Sequence, residues 1–260
     1  MKHKSENVVV VGLGEVGKPL FDLVLEHHPA VGVDVAPPGD DVGRVDVMHV
    51  CFPFQIRDFV GECVRYIDLF RPKLTIVNST VEVGTTRAIA ERSPSPVAYS
   101  PVRGKHTRML EDLRRYVKFV GAVDPSDAEA AAAHFRSLGL GTRCLSSPEA
   151  AEVAKLSETT YFGLMIAWAQ EVERYADAIG GDYDEITSFF EEIDFFPRVK
   201  YFPGVIGGHC VMPNMGLLGR FHESDLLDAV QASNRKKTER EARRSAALST
   251  GGVVVPGARE

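Results

Sequence analysis

Cysteine is scarce and scattered in this chain: Cys51, Cys63, Cys144 and Cys210 are the only four in 260 residues, and no two form a C-x-x-C pair. That spacing argues against a disulfide framework or a thiol-built zinc cluster, and for reduced thiols in a cytoplasmic setting. Positive charge is not in excess either. Lys and Arg number 30 against 36 Asp and Glu, a formal charge of -6, where a general nucleic-acid binder would be basic. No apolar run approaches the roughly 20 residues of a membrane span. The start, Met1-Lys2-His3-Lys4-Ser5-Glu6, runs into a strand-like segment rather than a signal peptide. His27, His28, His106, His134 and His222 show no metal-ligand spacing, so no metal is expected. Internal repeats and low-complexity segments are absent. What remains, 44% hydrophobic and 25% charged residues, is ordinary soluble-globular material, enough for one large domain or two modest ones.

The first half alternates strand-like with helix-like segments. Val8 to Val11, Ala30 to Asp34, Val45 to Cys51, Leu74 to Asn78, Val97 to Tyr99 and Val117 to Gly121 read as strands. Gly17 to His28, Phe59 to Phe70 and Asp127 to Leu138 read as helices. Such alternation with continuous apolar strands predicts an α/β fold with a parallel sheet covered on both faces. The texture changes after Pro148. Glu149 to Ile179 is free of proline and carries Val153, Leu156, Tyr161, Leu164, Met165, Trp168, Val172 and Tyr175 at helical spacing, until Gly180-Gly181 stops it. A helix of roughly 45 Å follows from about 1.5 Å per residue, the length of a spine helix at a homodimer interface. Shorter helices are expected over 184–193 and 224–246. The division this predicts is a Rossmann-type domain over 1–147, an all-α domain over 148–248 and a loose tail over 249–260.

Gly12-Leu13-Gly14-Glu15-Val16-Gly17 follows a strand and opens a helix, the setting that a dinucleotide-binding turn requires. The first glycine permits the sharp turn, Gly14 with Glu15 and Val16 lets a pyrophosphate approach the backbone, and the third lets helix and strand pack closely. The helix N-terminus adds about half a positive charge. Asp34, ending the second strand, is placed to accept both adenosine ribose hydroxyls and to repel a 2′-phosphate, which favours NAD over NADP. Far downstream, Pro203-Gly204-Val205-Ile206-Gly207-Gly208-His209-Cys210 delivers one cysteine into a glycine loop. A thiolate is the reactive form, and a cysteine of ordinary pKa near ~8.5 needs a cation or backbone N–H groups to reach it. The loop glycines would expose such groups, and His209 or Lys155 could supply charge. Ala151, Ala154 and Glu158 leave the Lys155 face without apolar character.

Gly12-Leu13-Gly14-Glu15-Val16-Gly17-Lys18-Pro19-Leu20 resembles the opening of the UDP-glucose/GDP-mannose dehydrogenases, the nucleotide-sugar 6-dehydrogenases. Further segments match in order: Val50-Cys51-Phe52-Pro53, Asn78-Ser79-Thr80-Val81 with Gly84-Thr85-Thr86, Tyr99-Ser100-Pro101, Ala151 to Leu156, Pro197-Arg198-Val199 and Gly207-Gly208-His209-Cys210. The last is most similar to the UDP-N-acetylmannosamine dehydrogenase branch. The resemblance implies oxidation of a primary alcohol to a carboxylate with two NAD, through an aldehyde captured by a cysteine as a thioester. It implies Cys210 as nucleophile and Lys155 as oxyanion-stabilising cation or base. Thr80 would hold a water or the cofactor edge, beside Phe52, Pro53 and Ser79. Arg103, Lys155, Thr159, Arg198, Ile206 and Gly207 would face a sugar or sugar-nucleotide substrate.

Three positions depart from that pattern. The acid expected four residues after the cysteine is Asn214, the Glu expected after Tyr99-Ser100-Pro101 is Val102, and the Asn expected four residues after the lysine is Thr159. The first two losses remove carboxylates that could activate water. These dehydrogenases also carry a third, C-terminal nucleotide-binding domain, and the chain length predicts a compact relative without it. Two rivals stand beside the covalent route: a two-electron hydroxyacid-type dehydrogenase with Lys155 as acid/base, and a non-catalytic NAD-binding dimer. The cluster Arg235, Lys236, Lys237, Arg240, Arg243 and Arg244 reads as a solvated helix face suited to the C-terminal dipole. Tyr161, Trp168 and Tyr175 read as helix-packing residues or a dimer seam.

Overall fold

Val8–Val11 forms β1, with all four valines buried, because a central parallel strand has both faces covered and takes β-branched side chains throughout. The computed structural model describes residues 5–34, 42–194, 201–208 and 210–250. The chain divides into two compact units, Met1–Leu156 and Ser157–Glu260.

In the first unit β1 leads to α1 (Gly17–Leu25), β2 (Ala30–Val33), β3 (Val47–Val50), α2 (Phe59–Phe70), β4 (Leu74–Val77), α3 (Thr85–Ala90) and β5 (Val97–Tyr99). There follow α4 (Met109–Arg115), β6 (Lys118–Ala122), α5 (Pro125–Ser137), β7 (Thr142–Cys144) and the start of α6 (Pro148–Ile179). The strands form one sheet in the order β2-β1-β3-β4-β5-β6-β7. In the ladders, Val11 pairs with Val33 and Val50, and Val50 with Val77. The strand ends are therefore level, and residues 12, 34, 51 and 78 all leave the sheet at its carboxyl edge. Strand order reverses between β1 and β3, the topological switch at which doubly wound sheets leave a ligand crevice.

One pair departs from the parallel sheet that the alternation predicts: β5 and β6 run antiparallel. The segment between them, residues 100–117 with α4, returns the chain at the edge where β5 ends instead of crossing a sheet face. β6 therefore starts at the carboxyl edge and runs back, which puts Lys118 where the other strands end. The alternating pleat divides the core between the two sheet faces. Val8, Val10, Ile76 and Ala98 pack with Leu20, Leu23 and Phe135 on one side, and Val9, Val11, Val50 and Val77 with Phe59 and Ile67 on the other. Asp58 caps α2 by accepting from the Gly61 N–H at 2.8 Å, and Asp124 caps α5 through Ser126 at 2.7 Å.

The second unit takes the rest of α6, with α7 (Tyr183–Glu191), α8 (Val211–Phe221) and α9 (Asp225–Thr250). Its core is Ala167, Ile206, Val211, Met215, Leu227 and Val230. Gly163 lets α6 and α8 touch: a Cβ there would lie 2.6 Å from Val211 Cγ1. The basic stretch on α9 is not simply a solvated face. Lys237 is 5% exposed and bonds both Glu173 carboxylate oxygens at 2.9 and 2.7 Å, while Arg240 pairs with Asp177 and Glu173. Among the described residues no helix is long and apolar enough to cross a membrane.

Candidate active site

The turn after β1 is shaped by what its glycines exclude. Gly12 has φ +89°, donates its N–H to the Val33 carbonyl at 2.7 Å, and has no room for a Cβ, which would fall 2.6 Å from the Phe52 nitrogen. Gly17 is tighter still, since its Cβ would sit 1.7 Å from the Gly12 carbonyl oxygen. Gly14 is the opposite case: among the described residues a Cβ there would meet nothing within 4 Å. No side chain caps α1. The turn is thus closed towards the sheet and open outward at Gly14, with Glu15 exposed and Val16 half-buried. Asp34 is exposed directly after β2.

Around this turn the carboxyl edge brings several predicted residues together. Ser79 Oγ donates to the Phe52 carbonyl at 2.6 Å, tying the loop after β4 to the loop after β3. Pro53 is exposed and Thr80 half-buried. The Thr80 segment is anchored at its far end by Glu152, a fully buried residue of α6. Its carboxylate accepts from the Gly84 N–H at 2.7 Å, the Thr86 N–H at 2.9 Å and the Thr86 hydroxyl at 2.6 Å. Burial pushes this carboxyl up, opposed by those three bonds. Glu152 belongs to a quoted motif, yet nothing in its spacing announces that it caps another helix.

Two further edge residues carry unusual electrostatics. Cys51 follows β3 behind Gly17, and burial pushes its thiol up to about 12. Lys118 is 3% exposed, donates to the Ser100 and Pro101 carbonyls at 2.8 and 3.0 Å, and lies over the Phe135 ring at 4.8 Å. Desolvation holds it down to about 7, with Arg103 and Lys155 contributing and Cys51 opposing. Arg103 stacks on Phe119 at 4.9 Å and Tyr116 at 5.4 Å and donates to the Val117 carbonyl at 2.7 Å. Lys155 is half-buried. Lys118 was legible only as a lone cation inside an apolar strand.

Behind the sheet, a chain of buried imidazoles crosses the first unit. Asn78 Nδ2 donates to the Ile76 carbonyl at 3.0 Å and sits 3.1 Å from His49 Nδ1, so His49 Nδ1 accepts. His49 Nε2 then donates to His134 Nε2 at 2.9 Å, and His134 Nδ1 donates to Glu6 Oε2 at 2.6 Å. Ser137 spends its proton on the His134 carbonyl, so His28 Nε2 donates to Ser137 Oγ at 2.7 Å. Glu6, His28 and His134 offer ligand atoms within 4.8 Å of one another, a grouping that sequence spacing does not reveal. A metal would need the lone pairs of His134 Nδ1 and His28 Nε2, the two nitrogens that hold protons here. The cluster is wired as a hydrogen-bond chain.

In the second unit Cys210 is half-buried and occupies the N-cap position of α8, without a side-chain capping bond. Ile206 is buried, whereas Gly207 and Gly208 are exposed, the latter at φ +80°. Asn214 Nδ2 donates to Thr159 Oγ1 at 2.9 Å. Arg198 and His209 lie outside the described residues.

Residues 149–236 match the family profile described as UDP-glucose/GDP-mannose dehydrogenase family, central domain. The UDP-N-acetyl-D-mannosamine dehydrogenase of Pyrococcus horikoshii is 31% identical over 228 residues, covering 80% of this chain and 54% of that protein. That of Methanococcus vannielii is 24% identical over 263 residues, covering 81% and 60%. Among solved structures, the P. horikoshii UDP-D-ManNAc dehydrogenase superposes with TM-score 0.81 at 20% identity, over 94% of this chain and 71% of that one. A UDP-glucose dehydrogenase from Pyrobaculum islandicum gives TM-score 0.79 at 22% identity, over 96% and 72%. The chain spans 60% or less of the length of these two curated relatives. Over residues 149–236 it is similar to the central domain of the UDP-glucose/GDP-mannose dehydrogenase family, and as a whole it is similar to part of these longer dehydrogenases.

Proposed function

We propose that this protein oxidises an alcohol group of a nucleotide-linked sugar with NAD, through a covalent adduct on Cys210. The observation that carries the reading is the glycine turn: closed against Phe52 and the Gly12 carbonyl, open at Gly14, and leading into an uncapped helix. Those are the steric and electrostatic needs of a pyrophosphate. The residues present therefore fit the dinucleotide, with Gly12, Gly14, Glu15, Val16 and Gly17 at the phosphates and Asp34 at the ribose. Phe52, Pro53, Ser79 and Thr80 complete the remaining cofactor wall. When bound, NAD supplies the hydride acceptor, one molecule per two-electron oxidation.

The chain's own residues divide the rest of the chemistry. Cys210 Sγ would add to the aldehyde carbon as a thiohemiacetal; loss of a second hydride, to a second NAD, and of a proton would make the thioester, which water cleaves to a carboxylate, releasing the thiol. Lys155 stabilises the oxyanion that forms on that carbon or takes the alcohol proton. Thr80 holds a water, Asn214 orients by hydrogen bonding, and Arg103, Thr159, Arg198 and Gly207 face the substrate, whereas the Ile206 side chain packs in the core of the second unit. Tyr161, Trp168 and Tyr175 on α6 are each about half exposed, and we assign them to a homodimer seam; a monomer in light scattering at micromolar concentration would remove that assignment.

The neutral Asn214–Thr159 pair favours a second reading, in which oxidation stops after two electrons. Both are separated by counting NADH formed per UDP-N-acetylmannosamine consumed and reading the product's oxidation state by mass spectrometry. Two NADH and a carboxylate support the covalent route, and one NADH with an aldehyde supports the second. Unchanged carboxylate formation by Cys210→Ser refutes a role for the thiol. NAD binding without NADH across a panel of sugar nucleotides and hydroxy acids identifies a non-catalytic dinucleotide binder.

A further inference from the structure

We propose that Asn234 and Gln170 are positioning residues that hold the Cys210 loop by both of its stems, an assignment that rests on the thiol chemistry proposed above. Asn234 lies on α9 and is 8% exposed. Its Oδ1 accepts the Ile206 N–H at 2.8 Å and its Nδ2 donates to the Ile206 carbonyl at 2.9 Å. One side-chain amide thus satisfies both backbone groups of a loop residue, as a neighbouring strand would. The same Nδ2 reaches Met212 Sδ at 3.7 Å in the first turn of α8. Cys210 lies between these two points of attachment.

Gln170, on α6 and fully buried, extends the hold upstream. Its Nε2 donates to the Gly204 carbonyl at 2.7 Å and to Asn234 Oδ1 at 3.3 Å. Its Oε1 accepts from Ser233 Oγ at 2.9 Å, which in turn accepts from Arg174 at 2.9 Å. Every polar atom of both amides has a partner, which fixes their orientation. The Ile206 side chain adds its packing in the core of the unit, and Gly204 donates its N–H to the Phe202 carbonyl at 2.8 Å. Gly204, Gly207 and Gly208 have no side chains, and among the described residues a Cβ at each would meet nothing within 4 Å. Glycines free on both sides carry the largest backbone entropy in the unfolded chain and restrain one another least. Two buried amides that could have been apolar core instead anchor backbone at residues 204 and 206, which is the work of positioning rather than of packing.

The test uses Asn234→Ala in the full chain with two readouts. Alkylation by iodoacetamide, resolved by peptide mass spectrometry, gives the rate at Cys210 relative to the exposed Cys144. Freed stems expose the half-buried sulfur, so the ratio rises by about fivefold or more. Turnover with UDP-N-acetylmannosamine falls by about ten- to a hundredfold while KM for NAD stays within about threefold, because a misplaced nucleophile costs rate rather than cofactor binding. A thiol that becomes easier to label yet less productive is the signature of lost positioning. An unchanged labelling ratio overturns the assignment whatever turnover does, and so does a raised ratio with unchanged turnover. Where the parent shows no turnover, the labelling ratio decides alone. The fluorescence of Trp168, the sole tryptophan, reports whether the helical unit is folded. If Asn234→Ala is not, Asn234→Asp keeps the acceptor for the Ile206 N–H, loses the donor to its carbonyl, and gives the same shifts to a smaller extent. Full turnover in Cys210→Ser would remove the thiol chemistry and leave the labelling comparison standing.

Discussion

Asn214 Nδ2 donates to Thr159 Oγ1 at 2.9 Å, which joins α8 to α6. These are two of the three positions at which the sequence departs from the nucleotide-sugar dehydrogenase pattern, and the fold makes them partners. An acid at 214 could only accept, whereas this amide donates, and the hydroxyl at 159 accepts where an amide would have donated. The contact is made here without a charge. Asn214→Asp restores a carboxylate that the Thr159 hydroxyl can meet. We expect the steady-state rate of NADH formation to rise, because thioester hydrolysis follows both hydride transfers, with a stability loss of about 1–3 kcal/mol because residue 214 is 5% exposed. Steady-state absorbance and urea unfolding check the two halves. An unchanged rate means that residue 214 does not limit hydrolysis.

Gly14 and Gly17 separate ligand binding from folding. Gly17→Ala drives a Cβ to 1.7 Å from backbone, so it should cost about 3 kcal/mol or more, or prevent folding. Gly14→Ala adds its methyl to open space, so stability should change by less than about 1 kcal/mol. That methyl occupies the approach to the turn, and NAD affinity should fall by about tenfold or more. Calorimetric titration with NAD beside thermal unfolding gives both quantities. Equal NAD affinity in Gly14→Ala would place the phosphates elsewhere.

Much of the fold was legible because it rests on local chemistry. The β-branched run Val8–Val11 and the glycine triplet after it announce themselves, and the proline-free stretch expected over 149–179 is α6, Pro148–Ile179. Short elements were not read. α3 has six residues and owes its N-terminal satisfaction to Glu152, 66 positions after Thr86. β7 has three residues and borrows its order from β6. α8 begins at the cysteine of a glycine loop and carries Pro213 in its first turn, so its start resembles more loop. At the candidate site, motif residues could be named by type, but the roles of Lys118, Glu152, Gln170 and Asn234 could not. Their partners are backbone groups of distant segments, and a backbone group leaves no trace in residue identity.

Lys118 makes stability rise with pH just above neutrality. Its folded value of about 7 lies below the ordinary lysine range, chiefly through desolvation. The unfolded chain therefore binds more protons above pH 7, and stability grows with pH. The window closes near pH 8.5, where unfolded thiols begin to ionise while buried Cys51 resists. Lys118→Met should flatten the rise between about pH 7 and 8.5 and stabilise the protein at pH 7 by roughly 2 kcal/mol, after the two carbonyl bonds are forgone. Urea midpoints at pH 7.0, 7.75 and 8.5 measure it. A parent slope retained in the variant would assign the rise to another group.

His49 sets the acid side. Burial holds it well below the ordinary histidine range, with His134 and Lys118 adding to the effect. It is therefore neutral when folded, and its fixed partners Asn78 and His134 leave no lone pair for an added proton. A group depressed in the folded state contributes stability that is present above its unfolded pKa and lost as pH falls below it. Stability should decline below about pH 6.5 by up to ~1.4 kcal/mol per pH unit. A separate loss should begin nearer pH 4.5, where Glu6, depressed mainly by its bond from His134, becomes protonated in the unfolded chain. His49→Gln removes the titrating ring while keeping an amide between Asn78 and His134. It should shallow the decline between pH 6.5 and 5 and leave the lower step in place. Urea unfolding of both proteins at pH 7, 6, 5 and 4 resolves the steps, and an undiminished decline in the variant would show that the proton binds elsewhere.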